Sequence, residues 1–238
     1  MNKEEQDRLN SVAEKSVYAE GANAAMQRYC FAVVEKFLRS GNILELGPAE
    51  GLMTEPLVAT GQAVTCVEGS EVFCRMLREK FPSATIVNSL FEEYRPASRF
   101  DNIILGHVLE HVEDPVQILS MVKEWLAPGG IIFAAVPNSS SLHRQAGVLM
   151  GLLTHEKQLN AMDIHHGHRR VFDIEEFRQV FIEAGLNIQT LGGYWLKPVS
   201  SAQIEETWNE GMLQAYMVLG EKYPEIAAEI YVVAGRND

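Results

Sequence analysis

Cysteine is scarce in this chain: three residues, Cys30, Cys66 and Cys74, an odd number without metal-like pairing. That excludes a disulfide framework and agrees with a reducing compartment. Long hydrophobic runs are missing as well. No apolar stretch approaches the ~20 residues needed to cross a bilayer, and the start, MNKEEQDRLN, has charges with no apolar segment behind them, unlike a secretory signal. The expectation is a cytoplasmic protein with no membrane partner. Basic residues are outnumbered, 20 Lys and Arg against 32 Asp and Glu, for a formal charge of −12. This argues against nucleic acid and for a small ligand. Internal repeats and low-complexity segments are absent too, so the organisation must be read from alternating apolar and amphipathic segments.

What is present fits one large α/β domain over residues 1–238, with 47% hydrophobic and 22% charged residues; an oligomer stays open. A helical region from about Glu5 to Leu38 precedes a strand near 42–46, a helix near 51–59 and a strand near 63–68. A helix opened by Ser70, strands near 84–87 and 101–106, and a helix capped by Asp114 with Pro115 in its first turn follow. LAPGGIIFAAVPN ends that helix at Pro128-Gly129-Gly130 and begins another strand. Strands alternating with helices of this length predict a parallel sheet covered on both faces. Residues 138–172 break the pattern with serines, five histidines and a short helix around Gln145 to Leu153, which reads as a lid or substrate loop. Asp173 and Glu176 then form a capping pair, with Gly185 as the stop. Strand-like NIQTLGGYWL, a helix from Ser201 to about Tyr223 and a strand EIYVVAG close the chain.

In an open parallel sheet the ligand crevice lies beyond the carboxyl ends of the strands. NILELGPAEG, residues 42–51, puts a turn there: Gly47 and Gly51 let backbone approach a ligand, and the next helix offers unpaired N–H groups. Glu68 ends the second strand, where an acid accepts hydrogen bonds from ribose hydroxyls. The bland alternative is a pair of ordinary turn glycines and a solvated strand end. A dinucleotide site calls for a third glycine, whereas here Gly47-Pro48-Ala49-Glu50-Gly51 would face a pyrophosphate with Glu50. An acid is tolerable beside a ligand that carries its own cation.

Together LELGPAEG, VEGSEVFCRML, FDNIILGHVLEHVEDP and LAPGGIIFAAVPN resemble the class I S-adenosylmethionine-dependent methyltransferases of type 11/12 that act on small molecules. The resemblance runs from about residue 40 to 137 and rests on four motifs in the right order. It implies a Rossmann-like doubly wound sheet of seven strands, order 3-2-1-4-5-7-6, strand 7 antiparallel, with a helical insertion after strand 5. It also implies a helical lid at 1–40, a cofactor-binding core at 41–137, a substrate insertion at 138–172 and C-terminal helices and strands at 173–238. Carried over to these positions, Glu45, Gly47, Pro48, Ala49 and Gly51 border the methionine portion, and Glu68, with Gly69 and Ser70 behind it, holds the ribose. Ser89 and Leu90 border the adenine; Gly106, His107 and His111 lie near the methionine end. Two departures stand out: Ala49 replaces a common glycine and is expected to need a negative φ, and Ser89 sits where Asp is frequent.

HVLEH, His107 to His111, also spells a zinc-peptidase motif, with both histidines on one face if it is helical. Its place after a strand at the cofactor end favours a pocket loop and no metal; for His111, packing and cofactor contact both stay open. Tyr18, Arg28 and Tyr29 of the N-terminal helices either lie on the surface or close over the cofactor, an Arg pairing with its carboxylate. DIHHGHRR brings His165, His166 and His168 beside Arg169 and Arg170. These are the candidate bases for a hydroxyl or amine acceptor, His168 first, with solvated surface and a metal site as alternatives. The expected reaction is in-line displacement that converts S-adenosylmethionine to S-adenosylhomocysteine, on an O or N atom of a small-molecule acceptor. A nicotinamide-dependent oxidoreductase and a non-catalytic S-adenosylmethionine-binding protein remain alternatives.

Overall fold

The computed structural model describes residues 3–16 and 19–237. Helices α1 (Lys3–Ala13) and α2 (Gly21–Val34) lead into β1 (Ile43–Leu46), α3 (Thr54–Ala59), β2 (Val64–Glu68), α4 (Glu71–Lys80), β3 (Thr85–Asn88) and β4 (Phe100–Gly106). Then come α5 (Pro115–Trp125), β5 (Leu126–Pro137), α6 (Leu142–Leu149), α7 (Ala161–His166), α8 (Ile174–Glu183) and β6 (Leu186–Tyr194). The chain closes with α9 (Ser201–Thr207), α10 (Glu210–Gly220), a 3₁₀ turn (Pro224–Ile226) and β7 (Glu229–Arg236). The sheet has seven strands in the order β3-β2-β1-β4-β5-β7-β6. β1 pairs parallel to β2 and β4, whereas β7 runs antiparallel to β5 and β6. The strand order, the antiparallel β7 and the helical insertion after β5 agree with the expected fold.

The middle strands are apolar along their length because both faces are covered: every residue of β1 is buried, and so is the run Gly130–Val136 of β5. One core, with Leu44, Leu105, Leu119, Phe177 and Val232, lies under α5 and α8; the other, with Ile43, Ile104, Phe133, Tyr194 and Met217, lies under α2, α9 and α10. Caps start the helices where the sequence signals them. Ser70 Oγ accepts from the N–H groups of Val72 and Phe73, Asp114 from Gln117, and Asp173 and Glu176 form a reciprocal box. Among the described residues no helix is long and apolar enough to cross a membrane.

Four local expectations change. The helical N-terminus divides into α1 and α2, and Tyr18 lies outside the described residues. β5 starts at Leu126, directly after α5; residues 127–130 bulge between Leu126 opposite Phe100 and Ile131 opposite Asn102, so Pro128-Gly129-Gly130 is an irregularity in the strand rather than a turn before it. The insertion helix α6 begins at Leu142 and ends at Leu149, and α7 joins it, started by an Asn160–Asp163 capping box and stopped by Gly167 at φ 79°. The expected helix 201–223 breaks at Trp208, because Asn209 caps α10 by accepting from Met212 N–H while the Trp208 ring packs on Tyr216 with centroids 4.5 Å apart.

Candidate functional site: an acid-walled cavity at the strand ends

A cavity of about 420 Å³ opens beyond the carboxyl ends of β1, β2 and β4, a size suited to a ligand of nucleoside dimensions. Its floor is the loop after β1. Gly47 has φ 65°, and a Cβ there would meet Val108 Cγ2 at 3.0 Å, so this position is reserved for glycine. Ala49 adopts φ 47°, contrary to the expected negative value, and its N–H donates to Glu68 Oε2 at 3.3 Å. The site therefore stores backbone strain at a residue that borders the ligand space. Gly51, at φ 78°, does not line the cavity; a Cβ would lie 2.5 Å from Phe81, so this glycine seats the loop on the end of α4.

Two carboxyls stand in the floor. Glu45 Oε2 accepts from Thr54 Oγ1 at 2.7 Å, and Glu68 Oε1 accepts from Ser70 N–H at 2.8 Å. Burial pushes both up to about 7, against the hydrogen bonds that favour their ionised forms. Glu50 adds a buried oxygen with no hydrogen-bond partner. Glu5, Glu92, Glu93 and Glu113 also line the wall, against two cations, Arg8 and Arg169. The field suits a cationic ligand and opposes a pyrophosphate. Apolar Leu9, Phe73, Leu90 and Phe91 provide a surface for a planar base. Ser89 lines this side too, with its hydroxyl donated to Leu90 C=O at 2.8 Å. Gly69 lines the wall, while Ser70 lies behind it: besides capping α4, its Oγ donates to Asn10 of α1 at 2.9 Å.

At the other end Gly106, His107, Val108 and His111 come from the loop after β4. This loop is a series of turns rather than a helix, so His107 and His111 do not form a helical zinc-peptidase pair. His107 has φ 59°; its Nε2 is 3.1 Å from Tyr194 Oη, and its Nδ1 lies 3.4 Å from Glu110 Oε1 and 3.7 Å from Glu229 Oε2. Burial opposes an imidazolium there, but Cys30, Glu110 and Glu229 outweigh it and hold the His107 pKa well above the usual value. His111 moves the other way, down to about 4, chiefly through burial.

The three loop histidines part company. His166 lines the cavity, and burial with its histidine neighbours lowers it to about 4. His168, the first choice from sequence, does not line the cavity; its Nδ1 is 3.2 Å from Asp163 Oδ1 and its ring stands edge-on to His111, centroids 4.8 Å apart. His165 is exposed and sits 3.1 Å from Lys15 C=O. Arg28 is exposed on α2 and away from the cavity, which corrects its expected role. Tyr29 is buried and donates to Glu221, a purely internal contact. The wall from α1, Glu5, Arg8, Leu9 and Val12, was missed, although its spacing of three to four residues marks one helical face. Glu5 also reaches Arg169 at 3.5 Å, so α1 is tied across the cavity to the insertion.

The methyltransferase domain family model matches residues 22–191, well over half of the chain. The chain belongs to this family. Its cofactor is S-adenosylmethionine, and the donor set fits: acids for the cationic end, Glu68 for hydroxyls and an apolar wall for the base. A ubiquinone biosynthesis O-methyltransferase of Caulobacter vibrioides is 33% identical over 106 residues, 40% of each chain. Another, of Paramagnetospirillum magneticum, is 24% identical over 191 residues, 76% of this chain and 72% of the relative. Most alignments to the curated relatives span between two fifths and two thirds of the relative's length, such as 40% for Caulobacter vibrioides and 64% for Rickettsia canadensis. Among solved structures, an S-adenosylmethionine-dependent methyltransferase of Thermotoga maritima superposes with TM-score 0.64 at 16% identity, covering 99% of this chain and 96% of that one. The N-methyltransferase NodS of Bradyrhizobium japonicum, solved with S-adenosyl-L-homocysteine, gives TM-score 0.62 at 13% identity, covering 99% and 98%. At such identities the likeness is one of fold.

Proposed function

We propose that this methyltransferase transfers a methyl group to an oxygen or nitrogen of a small-molecule acceptor, hydroxyl oxygen first, in the cytoplasm. The observation that carries this reading is the acid-walled cavity at the strand ends in a chain of this family. S-adenosylmethionine brings a methyl carbon already activated by its sulfonium and leaves as S-adenosylhomocysteine. What remains for the protein is to align the acceptor, shut out water and receive one proton. Glu68 is the residue for the ribose hydroxyls, and Glu45 and Glu50 offset the ligand's positive charge. Helix α1 acts as the lid, latched by Glu5 to Arg169. The acceptor belongs at the end lined by His107, His111, His166 and Arg169, under the 138–172 insertion.

His166 is the base in this reading. Its lowered pKa, about 4, keeps the imidazole neutral and able to accept a proton throughout the neutral range. The curated relatives' naming as O-methyltransferases favours oxygen over nitrogen, and the −12 charge supports a small acceptor over nucleic acid. The test is mass spectrometry of a metabolite extract incubated with the protein and methyl-labelled cofactor. A labelled small molecule is expected. Cofactor binding with no labelled small molecule in any extract would overturn the reading in favour of a binding protein.

A further inference from the structure

The side chain that the methylation chemistry does not use is Glu110. It is wholly buried, and neither carboxylate oxygen accepts a hydrogen bond. An ionised carboxylate in such a place requires a cation or several donors, because burial without either costs several kcal/mol. The nearest nitrogens are His107 Nδ1 at 3.4 Å from Oε1 and His111 Nε2 at 3.9 Å from the same oxygen. His168 completes a group: one donor atom each from Glu110, His111 and His168 lies within 4.8 Å of the others.

The His111 imidazole is oriented from behind by a hydrogen bond, and the His168 imidazole has a carboxylate beside it. His111 Nδ1 faces the Gly167 carbonyl at 3.4 Å, which selects the Nδ1–H tautomer and leaves the Nε2 lone pair toward Glu110. His168 Nδ1 lies 3.2 Å from Asp163 Oδ1, within ion-pair distance but with no hydrogen bond formed, and Asp163 is itself held by Arg144 Nη1 at 3.1 Å. A carbonyl bonded to one ring and a carboxylate within ion-pair distance of the other are the kinds of group that support metal-ligating histidines. The backbone adds a further tie, since Arg169 N–H donates to Glu110 C=O at 2.9 Å and holds the 163–170 segment against the loop after β4.

We propose that Glu110, His111 and His168 form a divalent transition-metal site. The two-imidazole, one-carboxylate donor set suits zinc, manganese or iron(II) over magnesium or calcium. Ligand bonds of about 2.0–2.2 Å place ligand atoms roughly 3.4 Å apart, so small ring rotations bring the present atoms into range. Of the three, His111 lines the cavity, so the open side of the ion faces the ligand space. The competing partner of Glu110 is a His107 imidazolium, which approaches only Oε1. The site stands on this geometry alone and does not depend on which acceptor is methylated.

The test uses the full chain, stripped with a chelator and titrated with cobalt(II) chloride and with zinc chloride, by calorimetry and by the cobalt d–d absorption. One equivalent should bind the unaltered protein. His111→Ala and His168→Ala should each weaken binding at least 100-fold, Asp163→Asn by about 10–100-fold, and the exposed His155→Ala by nothing measurable. The far-ultraviolet circular dichroism and urea midpoint of the same preparations report whether each variant is folded. Absence of stoichiometric binding by the unaltered protein overturns the proposal, and so does undiminished binding in both histidine variants, whatever becomes of the methyl transfer.

Discussion

Replacing Glu68 by Gln should change how stability depends on pH, and by an amount the structure supplies. The carboxyl is 6% exposed and its pKa is pushed from 4.5 up to about 7, first by burial. Because the folded form holds the proton more tightly than the unfolded chain, the group favours folding at low pH and withdraws that support as pH rises from about 4.5 through 7. Integrating between these two pKa values gives a loss of about 0.8 kcal/mol at pH 5 and about 3.3 kcal/mol at pH 8, a difference of about 2.5 kcal/mol. Glu68→Gln removes this titration. The drop in unfolding free energy between pH 5 and pH 8 should shrink by about 2.5 kcal/mol, whatever constant cost the lost bond from Ala49 or Ser70 adds. Urea denaturation at the two pH values measures it, read as midpoint shifts at constant slope. Calorimetry on the same variant should show S-adenosylmethionine affinity lower by at least about tenfold, since a hydrogen bond to a charged acceptor is worth about 1.5–3 kcal/mol. Identical pH dependence in variant and parent would refute the claim that Glu68 carries a buried-charge cost. Unchanged cofactor affinity would refute its place at the ribose.

Ala49→Gly should stabilise the protein by about 0.5–1 kcal/mol, because φ 47° costs alanine more than the added chain entropy costs glycine; a lower urea midpoint would show that the turn is unstrained. Gly47→Val should do the reverse at φ 65° and abolish cofactor binding, since its Cβ meets Val108 at 3.0 Å; normal binding would mean the loop is elsewhere. Arg144→Met, which removes the buried partner of Asp163 and the donors to Glu156 and Gln158 carbonyls, should cost about 3–5 kcal/mol and raise amide exchange across 150–168. At saturating cofactor, turnover on an identified acceptor should hold from pH 8 down to about 5, because burial keeps His166 near 4; a limb near 7 that vanishes in another histidine variant would transfer the base elsewhere.

Much of the cofactor side was legible in one dimension because its causes are local. A strand ending in Glu45-Leu46-Gly47 and another ending in Glu68 fall at the same level once neighbours pair in parallel, as Leu46 does with Val67. Caps such as Ser70, Asp114 and Asp173 act within three residues, so their signals survive in the chain order. The backbone sign at Ala49 was not legible. It goes with an N–H that bonds Glu68, 19 residues away, and that partner is in place only after β1 and β2 pair.

The acceptor side divides differently. Composition announced that histidines would gather at 163–170, but not which of them would face the ligand. That choice depends on α7, a six-residue helix whose end at Gly167 turns His166 into the cavity and His168 back toward Asp163. The grouping of Glu110 and His111 with His168 likewise joins positions more than fifty residues apart. The alternation of strands and helices, the helix caps and the glycine turn follow from periodicity and backbone preference, which act over a few residues, whereas the strand order was implied only by the resemblance. Pocket lining, histidine orientation and the ionisation of Glu45, Glu68 and Glu110 depend on burial, and burial is set only when α1 and the insertion close over the sheet.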